Sequence, residues 1–271
     1  MKTVIFVLKE LSRRFNDHQL QLTGSSLAYF FLLALFPLLI LLNALLGLFG
    51  FAMNDVLISI APLIPNSAFE ILESYLLSIS NYDNTVLISF GFLGTIFTTS
   101  IAVTSLMNAI YRAYDQKNHR SWLATQGLFI FFTFLIGISL ILTLLFPLLG
   151  QGFIDFISQY VNIPQSIILI WHVFRWVATP IIMMITLAAL YKIVPYTPYK
   201  QTIWPGTFFA VFGWLSMSIF LSFYINQIAN FSFVYGSIGA IIALLIWLFF
   251  TGIIIILGAE LNDIIDHLKN V

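Results

Sequence analysis

Residues 236–260 read GSIGAIIALLIWLFFTGIIIILGAE. Twenty-four residues pass before the first charge, Glu260. As a helix they would reach about 36 Å, more than the ~30 Å of bilayer hydrocarbon. They are apolar on every side, so no face is reserved for water. Five earlier stretches share this character, at roughly 22–50, 86–107, 124–149, 168–194 and 203–229. Composition agrees. Of 271 residues, 60% are hydrophobic and 8% charged, against about a quarter charged in a soluble domain. The mean hydropathy is +1.00. The expected fold class is all-α, a polytopic membrane protein with six transmembrane helices forming one domain over residues 1–271.

Orientation follows from the bases, because Lys and Arg stay on the cytoplasmic side. Lys2, Lys9, Arg13 and Arg14 precede the first span. Arg112, Lys117 and Arg120 follow the second, Lys192 and Lys200 the fourth, and Lys269 the sixth. All ten lie on one side of a six-span layout, so both termini are expected in the cytoplasm. The first apolar run has about 27 residues, too long for a signal-peptide core, and no cleavable leader or lipidation motif is expected. The two larger outward loops hold short amphipathic helices. In residues 51–85, Ser67 and Glu70 after Pro65 have the spacing of a capping box. Phe69, Leu72, Leu76 and Ile79 then share a face. Residues 151–163 repeat the pattern around Asp155, and both helices are read as lying in the outer interface.

Several classes of chemistry are excluded. Zero net charge argues against a basic nucleic-acid domain, so no nucleic-acid partner is expected. Zero cysteines remove disulfides, thiol nucleophiles and thiolate metal sites. Four scattered histidines make no metal cluster, and no phosphate loop or His-Glu-x-x-His motif occurs. No cofactor and no catalytic residue are assigned.

The candidate binding residues are those that are costly in lipid. Arg175 lies inside the fourth span, with His172 three residues before it on the same helical face. Two readings stand. Arg175 snorkels to outer phosphates between Trp171 and Trp176, or it faces inward as an anion or lipid-headgroup site. Tyr224 and Asn226, near the outer end of the fifth span, are read as hydrogen-bonding across the bundle or lining a cavity, and are further candidates for the substrate site. Gly91, Thr95 and Thr99, with Gly94, Thr98 and Ala102, make small-residue stripes in the second span. They read as packing surface or as polar pore lining. Glu260, with Asp263 and Asp266 behind it, opposes a helix dipole. That points to a specific partner, such as Arg112 or Arg120.

Taken in order, certain motifs resemble the YihY/virulence factor BrkB family. They are Ser26-Leu27-Ala28-Tyr29 with Leu35-Phe36-Pro37-Leu38, then Met107-Asn108-Ala109-Ile110-Tyr111. Tyr191-Lys192-Ile193-Val194-Pro195 and Trp204-Pro205-Gly206 follow. The last are Tyr224, Tyr235-Gly236-Ser237-Ile238-Gly239-Ala240, Trp247 and Leu257-Gly258-Ala259-Glu260-Leu261-Asn262. Within them Pro37, Asn108, Pro195, Pro205, Gly206, Tyr235, Gly236, Gly239, Gly258 and Glu260 are the expected structural motif residues. The match covers nearly the whole chain, and Thr207 departs from the alanine expected after Pro-Gly. The resemblance implies a bacterial inner-membrane protein of the UPF0761 type, whose members carry labels as ribonuclease BN or as virulence and serum-resistance factors. The ribonuclease label finds no acid–metal or His-pair constellation in the inward loops.

The expected function is transport of a lipid, a lipid-like molecule or a small anion. The alternative is a non-catalytic scaffold for envelope assembly. The expected partners are membrane lipids, with an envelope protein or a second copy as further candidates.

Overall fold

The computed structural model describes residues 2–48, 69–74, 84–116, 120–158, 165–196, 202–224 and 238–270. Seven long helices lie among them: α1 Lys2–Asp17, α2 Leu20–Leu48, α3 Asn84–Ala113, α4 Trp122–Ser158, α5 Gln165–Ile193, α6 Trp204–Phe223 and α7 Ile238–Asn270. Residues 69–74 are also helical, with Leu72 buried and Glu70 exposed; Ser67, Leu76 and Ile79 lie outside the described residues. Five stretches are long and apolar enough to cross a membrane: Leu20–Leu41, Gly91–Ala113, Trp122–Leu140, Trp204–Phe223 and Ile241–Lys269. In α5, the described side chains form the shorter apolar stretch Val177–Ile193.

Three features depart from the sequence reading. First, residues 2–17 are a helix, α1. Arg14 is buried, and Val7, Leu11 and Phe15 are half-buried on the same side, while Lys9, Ser12, Arg13 and Asn16 are exposed. That is the 3.6-residue period of an amphipathic helix. Second, residues 151–158 prolong α4 and form no separate helix. The helix runs through Pro147, as membrane helices tolerate. Residues 159–163 lie outside the described residues. Third, α7 continues ten residues past Glu260, to Asn270. Glu260 is therefore no helix terminus, and the dipole penalty inferred for it does not apply there.

The small-residue stripes pack. α2 and α3 make the broadest helix pair. A β-carbon on Gly91 would meet Leu41 N at 2.9 Å, and one on Gly94 would meet Pro37 at 3.1 Å. Thr95, Thr99 and Ala102 are buried. Thr98 Oγ1 donates to the Gly94 carbonyl at 2.8 Å, so its hydroxyl is satisfied within its own helix. These contacts favour the packing reading over a pore lining.

α6 and α7 cross at Gly206 and Gly258. A β-carbon on Gly206 would overlap the Gly258 carbonyl oxygen. One on Gly258 would stand 2.5 Å from Tyr191 Oη and 2.7 Å from Gly206 O. Only glycine permits this approach, and Tyr191, fully buried, closes it by donating to Ile255 O at 2.6 Å. Thr207 tolerates burial because its hydroxyl donates to Ile203 O at 2.8 Å.

The described core is concentrated toward the α1 end of the bundle, around Leu20, Leu27, Met107, Ile110, Phe132, Leu190, Tyr191 and Ile256. The outer surface stays apolar. Phe92, Phe97, Phe131, Phe134, Ile185, Phe212 and Phe220 are all exposed. So large an exposed apolar surface is unfit for water and suited to lipid.

Candidate functional site

At the α1 end four elements converge on one buried charge cluster. α1 presents Arg14, α7 presents Glu260 and Asp263, the end of α3 offers a carbonyl, and the α1–α2 turn carries His18. Arg14 Nη1 donates to Asp263 Oδ2 at 2.7 Å, Glu260 Oε2 at 3.1 Å and Ala113 O at 3.1 Å. Its Nε donates to Glu10 Oε1 at 3.2 Å. His18 Nδ1 stands 2.6 Å from Glu260 Oε1, and its Nε2 stands 3.3 Å from Asp115 Oδ1. Glu260 is 0% exposed and Arg14 7%.

Burying a charge is costly unless opposite charge and hydrogen bonds compensate it. Here both carboxylate oxygens of Glu260 have a partner. Burial alone would depress the Arg14 guanidinium, but Asp263 and Glu260 outweigh it and push its pKa up. Desolvation would raise Glu10, yet the Arg13 and Arg14 guanidinium groups hold it below the ordinary carboxylate value. The cluster ties α1 to the bundle. The sequence reading sought a partner for Glu260 in Arg112 or Arg120, and the partners are Arg14 and His18. Arg112 Nη2 instead donates to Thr23 Oγ1 at 3.2 Å. Arg120 donates to Val194 O and Ile193 O, each at 2.7 Å, and to Tyr111 Oη at 2.8 Å. It thereby satisfies carbonyls at the end of α5, where Pro195 breaks the helix. A cation at that helix end is also favoured by the dipole.

The remaining acid of α7 has a different task. α6 begins at Trp204-Pro205, with proline in the first turn and no side-chain cap of its own. Proline fits there because its missing donor would be unpaired anyway. The other early amides are served from α7. Gly206 N donates to Asn262 Oδ1 at 2.7 Å, and Thr202 N donates to both Asp266 oxygens at 2.9 and 3.1 Å. Acceptors at a helix N-terminus satisfy its free donors, and a carboxylate there also meets a favourable dipole. Two buried polar atoms nearby, Tyr114 Oη and Asn262 Nδ2, have no hydrogen-bond partner among the described residues. Burial, with the charge of Asp266, pushes the Tyr114 phenol pKa well up, so this hydroxyl stays neutral.

Beside the cluster, a cavity of about 640 Å³ opens between the first turns of α2 and the last turns of α3. Asp17, His18, Gln19, Asp115 and Gln116 line its α1 end, here called the mouth. Leu22, Thr23 and Arg112 stand a turn deeper, and Ser26, Asn108 and Ser105 deeper still. Two left-handed residues shape the mouth, Gln19 at φ 51° and Asp115 at φ 48°. Asp115 ends α3 in a tight cap. Its N–H donates to Arg112 O at 3.0 Å, and Gln116 N donates to Tyr111 O at 2.9 Å. The cavity shares His18 and Asp115 with the charge cluster. Among the described residues it offers one permanent cation, two carboxylates, a histidine and several neutral hydrogen-bonding groups.

The expected binding residues are distributed as follows. Arg175 and His172 lie on α5, and their side chains lie outside the described ones, as do Asn226, Tyr235 and Gly236. Tyr224 ends α6, exposed and stacked on Phe220 with ring centroids 6.4 Å apart. Asn108 lines the cavity. Pro37, Pro205, Gly206, Gly258 and Glu260 make the contacts described above, while Pro195 and Gly239 are buried. Arg14 and His18 escaped the sequence reading. The signal was their joint spacing with Val7 and Leu11 on one face of a helix.

The family model described as Virulence factor BrkB matches residues 11–270, from the second half of α1 to the end of α7. YfkH of Bacillus subtilis (strain 168), named for a likeness to ribonucleases, is 35% identical over 263 residues. That alignment covers 97% of this chain and 96% of YfkH. A UPF0761 membrane protein of Idiomarina loihiensis is 27% identical over 274 residues, 94% of this chain and 89% of its own. One from Chromobacterium violaceum is 23% identical over 257 residues, 92% of this chain but 58% of that longer protein. No solved structure matches the chain. Matched along almost its entire length, and built of apolar helices, the chain is a membrane protein belonging to the Virulence factor BrkB family.

Proposed function

We propose that this protein is a transporter of the bacterial cytoplasmic (inner) membrane, moving a lipid, a lipid-like molecule or a small anion. In this reading α2 to α7 are six spans, both termini are cytoplasmic, and the α1 end of the bundle faces the cytoplasm. The described bases Lys9, Arg13, Arg14, Arg112, Arg120, Lys192 and Lys269 all belong to that end, as the positive-inside rule requires. The observation that carries the transport reading is the polar cavity between α2 and α3. A membrane helix has no reason to expose Ser26, Asn108 and Arg112 side by side unless something polar is admitted there. In this reading Arg175, with His172, Tyr224 and Asn226, would bind the cargo near the outer face, as the sequence leads one to expect. Arginine suits a phosphate-bearing cargo, because its planar fork pairs with phosphate oxygens.

The ribonuclease-like name of YfkH belongs to that protein. Here the bases of the inner face are already required by topology and by the contacts of Arg14 and Arg120, so we assign no ribonuclease activity. The scaffold alternative draws on the outward face of α1, where Ile5, Phe6 and Leu8 are at least half exposed and could meet a partner protein.

Reconstitution separates the two readings. The purified protein is placed in liposomes, and movement of headgroup-labelled reporter lipids or radiolabelled anions across them is followed. The transporter accelerates one of these at least tenfold over protein-free vesicles, and Arg175→Ala, still folded, loses the effect. Movement no faster than in empty vesicles, for every reporter, overturns the transport reading in favour of the scaffold.

A further inference from the structure

The cavity between α2 and α3 is open along its side. On α2 the exposed residues Leu22, Ser26, Tyr29 and Leu33 follow one face; on α3 Arg112, Asn108, Phe97 and Leu93 do the same. The polar end of this groove is continuous with exposed apolar side chains. A soluble ligand would need no such continuation, whereas a lipid would lay its chains along Tyr29, Leu33 and Phe97 with its headgroup among the polar residues.

The order of charges along the groove restricts that headgroup. Arg112 stands about one turn further along the bundle than the carboxylates Asp17 and Asp115, which lie at the α1 end of the groove. Both carboxylates are well exposed, at 60% and 65%, and their partners within the protein are Arg13, 3.9 Å from Asp17, and His18, 3.3 Å from Asp115. A phospholipid whose headgroup points to the cytoplasm presents its phosphate deeper and its terminal group outermost. Arg112 therefore matches the phosphate, and Asp17 and Asp115 match a positive terminal group. An anionic headgroup such as phosphatidylglycerol's has the same phosphate but only a neutral glycerol beyond it, so the two carboxylates would gain no opposite charge. A quaternary ammonium is held best by an aromatic cage, and among the described residues no aromatic ring lines the cavity. A primary ammonium, with three donors, suits the carboxylates and the side-chain oxygen of Gln116.

We infer that this groove is a binding site for a zwitterionic aminophospholipid, with its phosphate on Arg112 and its primary ammonium between Asp17 and Asp115. The inference deepens the transport reading by naming the headgroup, yet binding and movement are measured separately.

The test is native mass spectrometry of the full-length protein, released from nanodiscs of equimolar phosphatidylethanolamine, phosphatidylglycerol and phosphatidylcholine. Wild type retains phosphatidylethanolamine about tenfold over either competitor. Arg112→Gln removes most of that retention, since a charge-assisted hydrogen bond to phosphate is lost. Asp17→Asn with Asp115→Asn abolishes the preference, lowering the ratio of phosphatidylethanolamine to phosphatidylglycerol about tenfold. Asparagine tolerates the left-handed backbone at 115, and a ratio within one folded population is insensitive to yield. Equal retention of the three lipids, a wild-type preference for phosphatidylglycerol, or an unchanged ratio in the double variant would each overturn the inference. Selective retention with no movement in liposomes would leave the site standing and sink the transport reading. Movement without selective retention would do the reverse.

Discussion

Two polar regions sit side by side at the α1 end of this bundle, and they are built in opposite ways. The Arg14–Glu260–Asp263 cluster is closed. Its charges are buried and each has partners on two or more elements. The groove around Arg112 and Asn108 is open, and its one cation among the described residues is matched within the protein by the hydroxyl of Thr23. Saturated, buried charge is what holds helices together. Exposed polar groups at membrane depth, short of partners, are what a ligand completes. Residue types alone do not separate the two: each region has arginine and aspartate, and they share His18. Burial and the number of partners do.

The comparison breaks most easily on its closed side. Glu260→Ala strands Arg14 and His18 beside Asp263 and is expected to cost about 3–5 kcal/mol, the usual penalty for removing one member of a buried ion pair. A thermal-unfolding midpoint unchanged within a degree would show that the cluster is not the fastening described. Gly258→Val comes next. Its β-carbon meets Tyr191 Oη and Gly206 O, so α6 and α7 must part at a cost of about 1–3 kcal/mol or more, read as lost yield of folded, detergent-stable protein. On the open side Arg112→Gln is expected to change stability by less than about 0.5 kcal/mol while lowering lipid retention about tenfold. A variant that unfolds instead would move Arg112 into the closed class. The smallest effect belongs to Glu10. Its folded pKa lies below the ordinary 4.5, so its contribution is full above that value and fades as the pH falls through the lowered one. Unfolding midpoints should therefore fall slightly more between pH 5 and about 3 in wild type than in Glu10→Gln.

Much of this was written in the sequence, but unevenly. Spans are legible because twenty-odd apolar residues admit few other outcomes. The need of Glu260 for a partner was legible too, from three acids within seven residues. The partner was not. Arg14 is 246 positions away, and nothing local marks a pairing between the two ends of a chain. Arg112 and Arg120 lay at the right depth for the same role. What decided against them was geometry: the carbonyls of Ile193 and Val194 claim Arg120, and Thr23 claims Arg112. α1 was obscured because four bases in fourteen residues read as a topogenic tail. The groove was half visible. Asn108 stood out as a motif residue, but Ser105 lay within polar and small residues that also serve helix packing. Only the exposed faces of α2 and α3 separate the lining from the packing surface.

The central claim is that a water-accessible polar groove opens at the cytoplasmic end of the bundle. The absence of cysteine allows it to be tested directly. Ser26→Cys places a thiol in the groove, and Ser218→Cys places one at a position that is 0% exposed. Each is treated with a membrane-impermeant thiol reagent in inside-out and right-side-out vesicles. The account predicts rapid labelling of Ser26→Cys from the cytoplasmic side only, slowed by added aminophospholipid, and no labelling of Ser218→Cys from either side. Equal protection of the two cysteines, or labelling of Ser26→Cys from the outside alone, would contradict it.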